Sequence, residues 1–310
     1  MKILITGGAG YIGSMLSTEL VKLGHQITVI DDLRYSLNSL NHIMHYKNFE
    51  FIKGDIKDKK ILKREVIKNN IIIPLAGLVG APLCEKYKKE AVETNFKQIK
   101  FILSVIKKRQ KLIYMNSNSG YGIGLKNAFC DEKSPLNPIS LYGKTKVDAE
   151  KIVLKFKNSI CFRLATVFGY SYRMRTDLLV NFMVNEAVNK NKLEIFEPNF
   201  RRNYINVRDV VNGIIFAINN FKKLRSNVYN LGLSNANITK IQLAKKIKGY
   251  HKSTKVTVIK NRKDPDKRDY FVSNKKIEKK GFRAKISLDN GIKEMIKIFK
   301  ISKNQGKNNY

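Results

Sequence analysis

The chain has 310 residues, of which 43% are hydrophobic and 27% charged, and its 60 Lys and Arg against 25 Asp and Glu give a formal net charge of +35. That composition excludes disorder and fibrous or disulfide-scaffold sequence, and the length suffices for one large α/β domain or a main domain with a smaller one. The charge raises nucleic acid or an anionic membrane as partners, but the lysines are spread from Lys2 to Lys307 and no aromatic residues interleave with them as stacking platforms. A solvated, lysine-coated surface with no nucleic-acid partner is the expectation.

Lys2 to Thr6 is a short apolar run that meets a glycine cluster, and residues 14–23 place apolar side chains at helical spacing. Gly24 closes that helix, and residues 26–30 read as a second buried strand ending in Asp31-Asp32. The opening is a βαβ unit. Strands of the same kind recur at residues 49–52, 71–73, 111–115 and 160–164, with helical stretches between them. Such alternation implies a Rossmann-type α/β fold, a doubly wound parallel sheet covered on both faces. After about Gly169 the rhythm changes to longer, basic, mixed segments, with helices near residues 177–189 and 207–220. We expect residues 1–169 to form the dinucleotide-binding domain carrying the catalytic residues. Residues 170–310 are expected to supply a smaller, mainly substrate-binding α/β part that interleaves with the first. Residues 302–310 are polar and expected to fray.

Cys84, Cys130 and Cys161 lie far apart, fit no metal spacing and leave an odd count. A reducing cytoplasm and no metal are expected. The N-terminal residues read as a strand, so no leader is expected. The uncharged stretch from Ile71 to Cys84 is broken by Pro74, Gly77, Gly80 and Pro82, so no membrane insertion is expected.

Gly7-Gly8-Ala9-Gly10-Tyr11-Ile12-Gly13 contains G-x-x-G-x-x-G and, shifted by one, G-x-G-x-x-G. Because it follows a strand and opens a helix inside a βαβ unit, its amides can approach a pyrophosphate at a helix N-terminus. Asp31, at the end of the second strand with Asp32 beside it, can accept hydrogen bonds from both adenosine ribose hydroxyls and would repel a 2′-phosphate. Arg34 nearby partly counters that repulsion, and NAD is the expected cofactor. Asp55, followed by Ile56, can reach the adenine amino group or cap a helix.

Tyr142 and Lys146 stand four apart after Pro138 and Ser140, which suit a helix start, and so share one helix face. A phenol is protonated at neutral pH, but a neighbouring ammonium and a cationic nicotinamide both favour phenolate. Tyr142 can then act as general base toward a sugar hydroxyl. Ser117, in Met115-Asn116-Ser117-Asn118-Ser119-Gly120-Tyr121-Gly122 after the fifth strand, completes a coherent site.

These segments, with Gly54-Asp55-Ile56, Leu75-Ala76-Gly77-Leu78, Asn95 and Arg163-Leu164-Ala165-Thr166-Val167-Phe168-Gly169, fall in the order and spacing of a known family. The chain resembles the extended short-chain dehydrogenase/reductases that modify nucleotide sugars, the family of UDP-glucose 4-epimerase and the sugar 4,6-dehydratases. The resemblance implies cofactor contacts from the glycine loop with Tyr11 and Ile12, from Asp31, Asp32, Asp55, Ile56, Leu75, Ala76, Gly77 and Asn95, and from Tyr142 and Lys146. It makes Ser117 the residue that holds the substrate hydroxyl, Tyr142 the base, and Lys146 the ligand of the nicotinamide ribose that also lowers the tyrosine pKa. Hydride passes from sugar C4 to NAD. Arg202 and Arg268 resemble arginines that grip the nucleotide diphosphate, where a guanidinium fork suits phosphate oxygens. A homodimer is implied, through the helices that include the one bearing Tyr142 and Lys146.

The chain departs from the family at three places. Dehydratases carry an Asp-Glu pair directly after the hydroxyl residue, where this chain has Asn118-Ser119, so epimerisation is favoured over ordinary dehydration. Thr166 stands where many relatives have a substrate-binding asparagine, and Pro74 where many have His. Cys84 and Glu85 follow the fourth strand as candidates for an extra acid or base, against a buried thiol and a surface carboxylate. Residues 171–177 are expected to line the nucleotide-sugar side. The reading is therefore an NAD-dependent nucleotide-diphosphate-sugar epimerase, with a dehydratase using a non-standard acid/base set as the alternative. A non-catalytic NAD-sensing or nucleic-acid-binding protein on the same fold is the reading from another class.

Overall fold

In the computed structural model the described residues are 1–35, 38–125, 128–260 and 268–303. The expected fraying of the C-terminal residues lies outside them from residue 304 on. In chain order the first half runs β1 (Lys2–Thr6), α1 (Tyr11–Lys22), β2 (Gln26–Asp31), β3 (Phe49–Lys53), α2 (Lys59–Lys68), β4 (Ile71–Pro74), α3 (Ala81–Lys86), α4 (Lys88–Val92), α5 (Gln98–Val105), β5 (Lys111–Ser117), β6 (Phe129–Cys130), α6 (Leu141–Val153) and β7 (Ser159–Leu164). The second half runs β8 (Thr166–Phe168), α7 (Leu179–Lys190), β9 (Lys192–Ile195), β10 (Arg201–Asn206), α8 (Val207–Asn219), α9 (Phe221–Leu224), β11 (Asn227–Leu231), β12 (Asn237–Thr239), α10 (Lys240–Tyr250), β13 (Lys255–Val258), β14 (Phe271–Val272), α11 (Lys275–Lys279) and α12 (Leu288–Lys303).

Seven strands form one all-parallel sheet in the order β11-β7-β5-β4-β1-β2-β3. The fold is the Rossmann-type α/β arrangement. Its strands are near-continuous apolar runs because both faces are covered: every residue of β4 and β7 is buried. Side chains alternate between two cores. Ile3, Ile5, Ile27 and Val29 pack with α1 and α8, while Leu4, Ile30, Ile72, Leu112 and Cys161 pack on the other face with α2, α5 and α6. A third cluster joins α7, α10 and α12. The seventh strand, β11, comes from beyond residue 169, so the sheet draws on both sides of that position.

Most of the expected strands coincide with observed ones, β5 running two residues further to Ser117. The first helix begins three residues earlier than its apolar spacing suggested, because the glycine motif itself supplies the first turn at Tyr11.

One ion pair is buried deep in this framework. The Arg163 guanidinium on β7 meets the Glu150 carboxylate on α6 through Nη2 to Oε1 at 2.6 Å and Nε to Oε2 at 3.1 Å, with the two side chains 5% and 3% exposed. Removing one member of such a pair strands the other charge, at a cost of about 3 kcal/mol or more. Glu150→Ala should lower the unfolding free energy by that amount in urea denaturation, and an unchanged midpoint would show the pair to be dispensable.

Candidate active site

The strand order reverses between β1 and β4, and such a switch point opens a crevice at the carboxyl ends of the strands. The glycine loop follows β1, residues 75–77 follow β4 and Ser117 ends β5, so all three face this crevice. Gly7 has φ +72°, and a Cβ there would lie 2.5 Å from the Ala76 nitrogen; one at Gly13 would lie 2.2 Å from the Gly7 oxygen. These two glycines are demanded by the packing of the loop on itself and on the loop after β4. Gly10 differs, since a Cβ there meets a single atom within 4 Å, the Gly7 oxygen at 3.1 Å. Gly10 also caps α1 without any side-chain hydrogen bond, which leaves the first-turn amides of Tyr11, Ile12 and Gly13 for an anion. A bare tip, an uncapped helix N-terminus and a carboxylate at the end of β2 fit a dinucleotide.

Asp31 is held in place by the chain itself. Its Oδ2 accepts from the Ala9 amide and its Oδ1 from the Leu33 amide, each at 2.9 Å, while partial burial pushes its pKa up. Asp32 is exposed and accepts from the Arg34 amide at 3.0 Å. Asp55 accepts from the Lys57 amide at 2.8 Å and pairs with the Lys57 ammonium at 3.1 Å. The cap of α2 is instead Asp58, which accepts from the Lys60 and Ile61 amides. Ile56 and Ile12 pack into the cores with their side chains. Tyr11 likewise turns its side chain inward, its hydroxyl donating to the Gly169 oxygen at 2.6 Å. After β4, Leu75 donates its amide to the Thr6 oxygen at 2.9 Å. Gly77 lies so close to Asn95 that a Cβ would come 2.3 Å from Oδ1, and Asn95 Nδ2 donates to the Leu78 oxygen at 2.9 Å. Asn95 thus fastens the loop formed by Leu75, Ala76 and Gly77.

Helix α6 starts where Ser140 accepts from the Gly143 amide at 3.2 Å. Tyr142 sits in its first turn near Ser117, whose Oγ accepts from the Ser119 amide at 3.2 Å. Burial pushes the Tyr142 pKa up, and the opposing charge comes first from Arg268, with the Ser117 hydroxyl and Arg175 adding to it. The Lys146 ammonium lies 4.4 Å over the Tyr114 ring, and burial pushes its pKa down to about 8. Arg268 and Arg175 are thus cations acting on the phenol that spacing in the sequence did not point to.

Arg268 is placed by its neighbour. Asp269 exchanges backbone hydrogen bonds with Gly122 and Gly124, beyond Ser117, and its carboxylate takes two bonds from the Arg201 guanidinium at 2.8 and 3.0 Å. Arg202, almost fully buried, donates Nη1 to the Arg201 oxygen at 2.9 Å and lies 5.7 Å from the Tyr270 ring centre. Thr166 opens β8 and pairs in register with Tyr204 of β10, two residues beyond Arg202. Cys84 is fully buried; its thiol is pushed up to about 11 by burial and donates to the Leu78 oxygen at 3.4 Å. Glu85 points to solvent and pairs with Lys88 at 3.2 Å. Among residues 171–177, Ser171 and Arg173 lie on the cofactor loop: Ser171 Oγ donates to the Tyr11 oxygen at 2.6 Å, and the Arg173 charge acts on Asp31.

Sequence reading missed the residues that hold this arrangement. Asn116 donates to Glu150 Oε2 at 2.6 Å and accepts from the Ser117 amide at 2.7 Å, while Arg163 also donates to the Tyr121 hydroxyl at 3.0 Å. Glu150 lies eight residues past Tyr142, on the face shared with Lys146, and that spacing was the available signal. Among the described residues no His, Cys, Asp and Glu group can hold a metal ion, and no helix is long and apolar enough to cross a membrane.

Lys146 deprotonates near pH 8 in the folded chain against 10.5 as its ordinary value. Between those pH values the unfolded chain holds the extra proton, so this residue makes folding stability rise with pH across that window. Urea midpoints at pH 8 and pH 10 should therefore move further in favour of the folded state for the wild type than for Lys146→Met.

Residues 3–232 match the family described as the NAD dependent epimerase/dehydratase family. A dTDP-D-glucose 4,6-dehydratase of Dictyostelium discoideum is 32% identical over 270 residues, covering 79% of this chain and 61% of that protein. A UDP-glucose 4-epimerase of Lactobacillus helveticus is 29% identical over 282 residues, covering 80% and 82%. The solved UDP-glucose 4-epimerase of Thermotoga maritima shares the fold with a TM-score of 0.85 at 24% identity, over 98% of this chain and 100% of that one. With three quarters of its length matched by the family, the chain belongs to the NAD dependent epimerase/dehydratases, whose cofactor is NAD.

Proposed function

We propose that the protein is an epimerase of a nucleotide-diphosphate sugar, working through a transient 4-keto sugar with Tyr142 as base. The observation that carries the reading is the approach of the Ser117 side chain at the end of β5 to the Tyr142 phenol in the first turn of α6, where the Ser117 hydroxyl favours phenolate. A sugar hydroxyl taken between them is held by Ser117 and gives its proton to Tyr142. Bound NAD supplies a reversible hydride acceptor for the C4 hydrogen. Returning that hydride to the opposite face, with the proton restored from Tyr142, inverts C4 with no net redox change. Lys146, beside Tyr142 on α6, serves the nicotinamide ribose. Arg202 and Arg268 serve the diphosphate, and Thr166 the sugar.

Asn118 and Ser119 support epimerisation over dehydration. Asn118 Nδ2 and Oδ1 and Ser119 Oγ are buried with no hydrogen-bond partner among the described residues, so a partner from outside suits them, and neither residue titrates. The Dictyostelium relative's name favours dehydration as a second reading. That reaction needs an acid and a base at the sugar, and the candidates fit poorly: Cys84 holds its proton and Glu85 is paired at the surface. We further place the reaction in the cytoplasm, in keeping with three unpaired cysteines, and assign a homodimer through the helices that include α6.

Incubation with UDP-, dTDP- and GDP-hexoses, followed by mass analysis, should give a product of unchanged mass; a product lighter by one water supports the dehydratase instead. Tyr142→Phe should lose at least about a hundredfold in turnover while still binding NADH, the order expected of a general base. Undiminished turnover would remove Tyr142 from the chemistry, and no turnover of any of these hexoses by the wild type would leave the non-catalytic reading.

A further inference from the structure

We infer that Glu90 is a determinant of cofactor choice, holding the Arg34 guanidinium away from the ribose edge so that the site accepts NAD and refuses NADP. The inference rests on the reading of the glycine loop and Asp31 as the dinucleotide site.

Arg34 is the cation three residues beyond Asp31, and an arginine in that region is what accommodates a 2′-phosphate. Its planar fork matches phosphate oxygens in a way an ammonium does not. In the structure this fork is spent elsewhere. Arg34 Nη1 meets Glu90 Oε1 at 2.5 Å and Nε lies 3.4 Å from Asp32 Oδ2, so two carboxylates compensate one guanidinium. The charges that act on Arg34 are those of Glu90 and Asp32, whereas those that act on Asp31 are Asp32 and Arg173. Arg173 is itself engaged, 4.8 Å over the Tyr35 ring and beside the Asp31 carboxylate it balances.

The surroundings make Glu90 necessary. Arg34 lines a cleft with Lys57, Lys86, Lys88 and Lys89, a setting that attracts anions on charge alone. Its lining includes two carboxylates, Glu90 and Glu93, and Glu93 is taken by Lys97 at 2.6 Å. Glu90 comes from α4, in the segment that follows β4, so the pair links the end of β2 to the far side of the crevice. It is part-exposed and contributes little to stability, so its removal leaves a folded chain in which Arg34 is free to turn.

The test uses the full chain stripped of nucleotide, titrated with NADH and NADPH by fluorescence for the wild type, Glu90→Ala, Arg34→Ala and the double variant. Wild type should prefer NADH. Glu90→Ala should shift the NADPH/NADH affinity ratio toward NADPH by about tenfold, the order of one new charge-assisted hydrogen bond, and the double variant should return to the wild-type ratio. An unchanged ratio in Glu90→Ala, or a gain that survives in the double variant, overturns the inference alone. A wild-type chain that binds neither dinucleotide overturns the site reading and the inference with it.

Discussion

The buried pair between Glu150 and Arg163 ties together the three elements that carry the chemistry. Glu150 sits two turns past Tyr142 on α6, Arg163 lies one residue from the end of β7, and Asn116 couples the same carboxylate to the end of β5, where Ser117 begins the loop. A charge in an apolar interior is tolerated only when its partners meet every lone pair in good geometry. That demand leaves α6 little freedom to slide or rotate against the sheet, so the Tyr142 and Ser117 side chains stay close together. Arg163 extends the constraint to Tyr121, whose hydroxyl donates to Asn230 Oδ1 on β11, the seventh strand. In the proposed mechanism the stability cost of burying an ion pair is thus matched by a fixed geometry at Tyr142 and Ser117.

Within that frame the phenol is not acidic by position alone. Burial acts against phenolate, and the cations that favour it belong to Arg268 and Arg175 in the later half of the chain. Arg175 is itself held by Asp177, through Nη2 to Oδ2 at 2.5 Å. The electrostatics of Tyr142 therefore join the two halves of the fold: the helix that bears it comes from the first, and part of the charge that acts on it from the second. Arg268, which the proposed reading gives to the diphosphate, also acts on the Tyr142 phenol, so in that reading ligand charge and base strength are coupled through one side chain.

What was legible in the sequence follows the range of the interactions involved. The βαβ opening, the glycine loop and the Tyr142–Lys146 face are set within a few residues, and periodicity with turn chemistry exposes them. Asp58 outcompetes Asp55 as the cap of α2 through a choice of one turn that composition does not distinguish. The membership of β11 in the main sheet, the Glu150–Arg163 pair and the reach of Arg175 to Tyr142 are contacts between distant segments, where each residue alone reads as a solvated charge in a lysine-rich chain. Arg163 carried one clue, a cation amid six buried strand residues, and a buried arginine implies a partner.

The surface charge gives these local pairs their importance. A chain at +35 attracts phosphate-bearing ligands of every kind, and a dinucleotide with one more phosphate gains more from that field than one without. Discrimination against the extra phosphate therefore has to be local and negative. Asp31 is locked in place by two amides, Asp32 lies next to it, and Glu90 engages the Arg34 fork that would welcome the phosphate. In the inference drawn here the long-range field brings the ligand to the crevice, and two carboxylates at the end of β2 with a third from α4 decide which ligand stays.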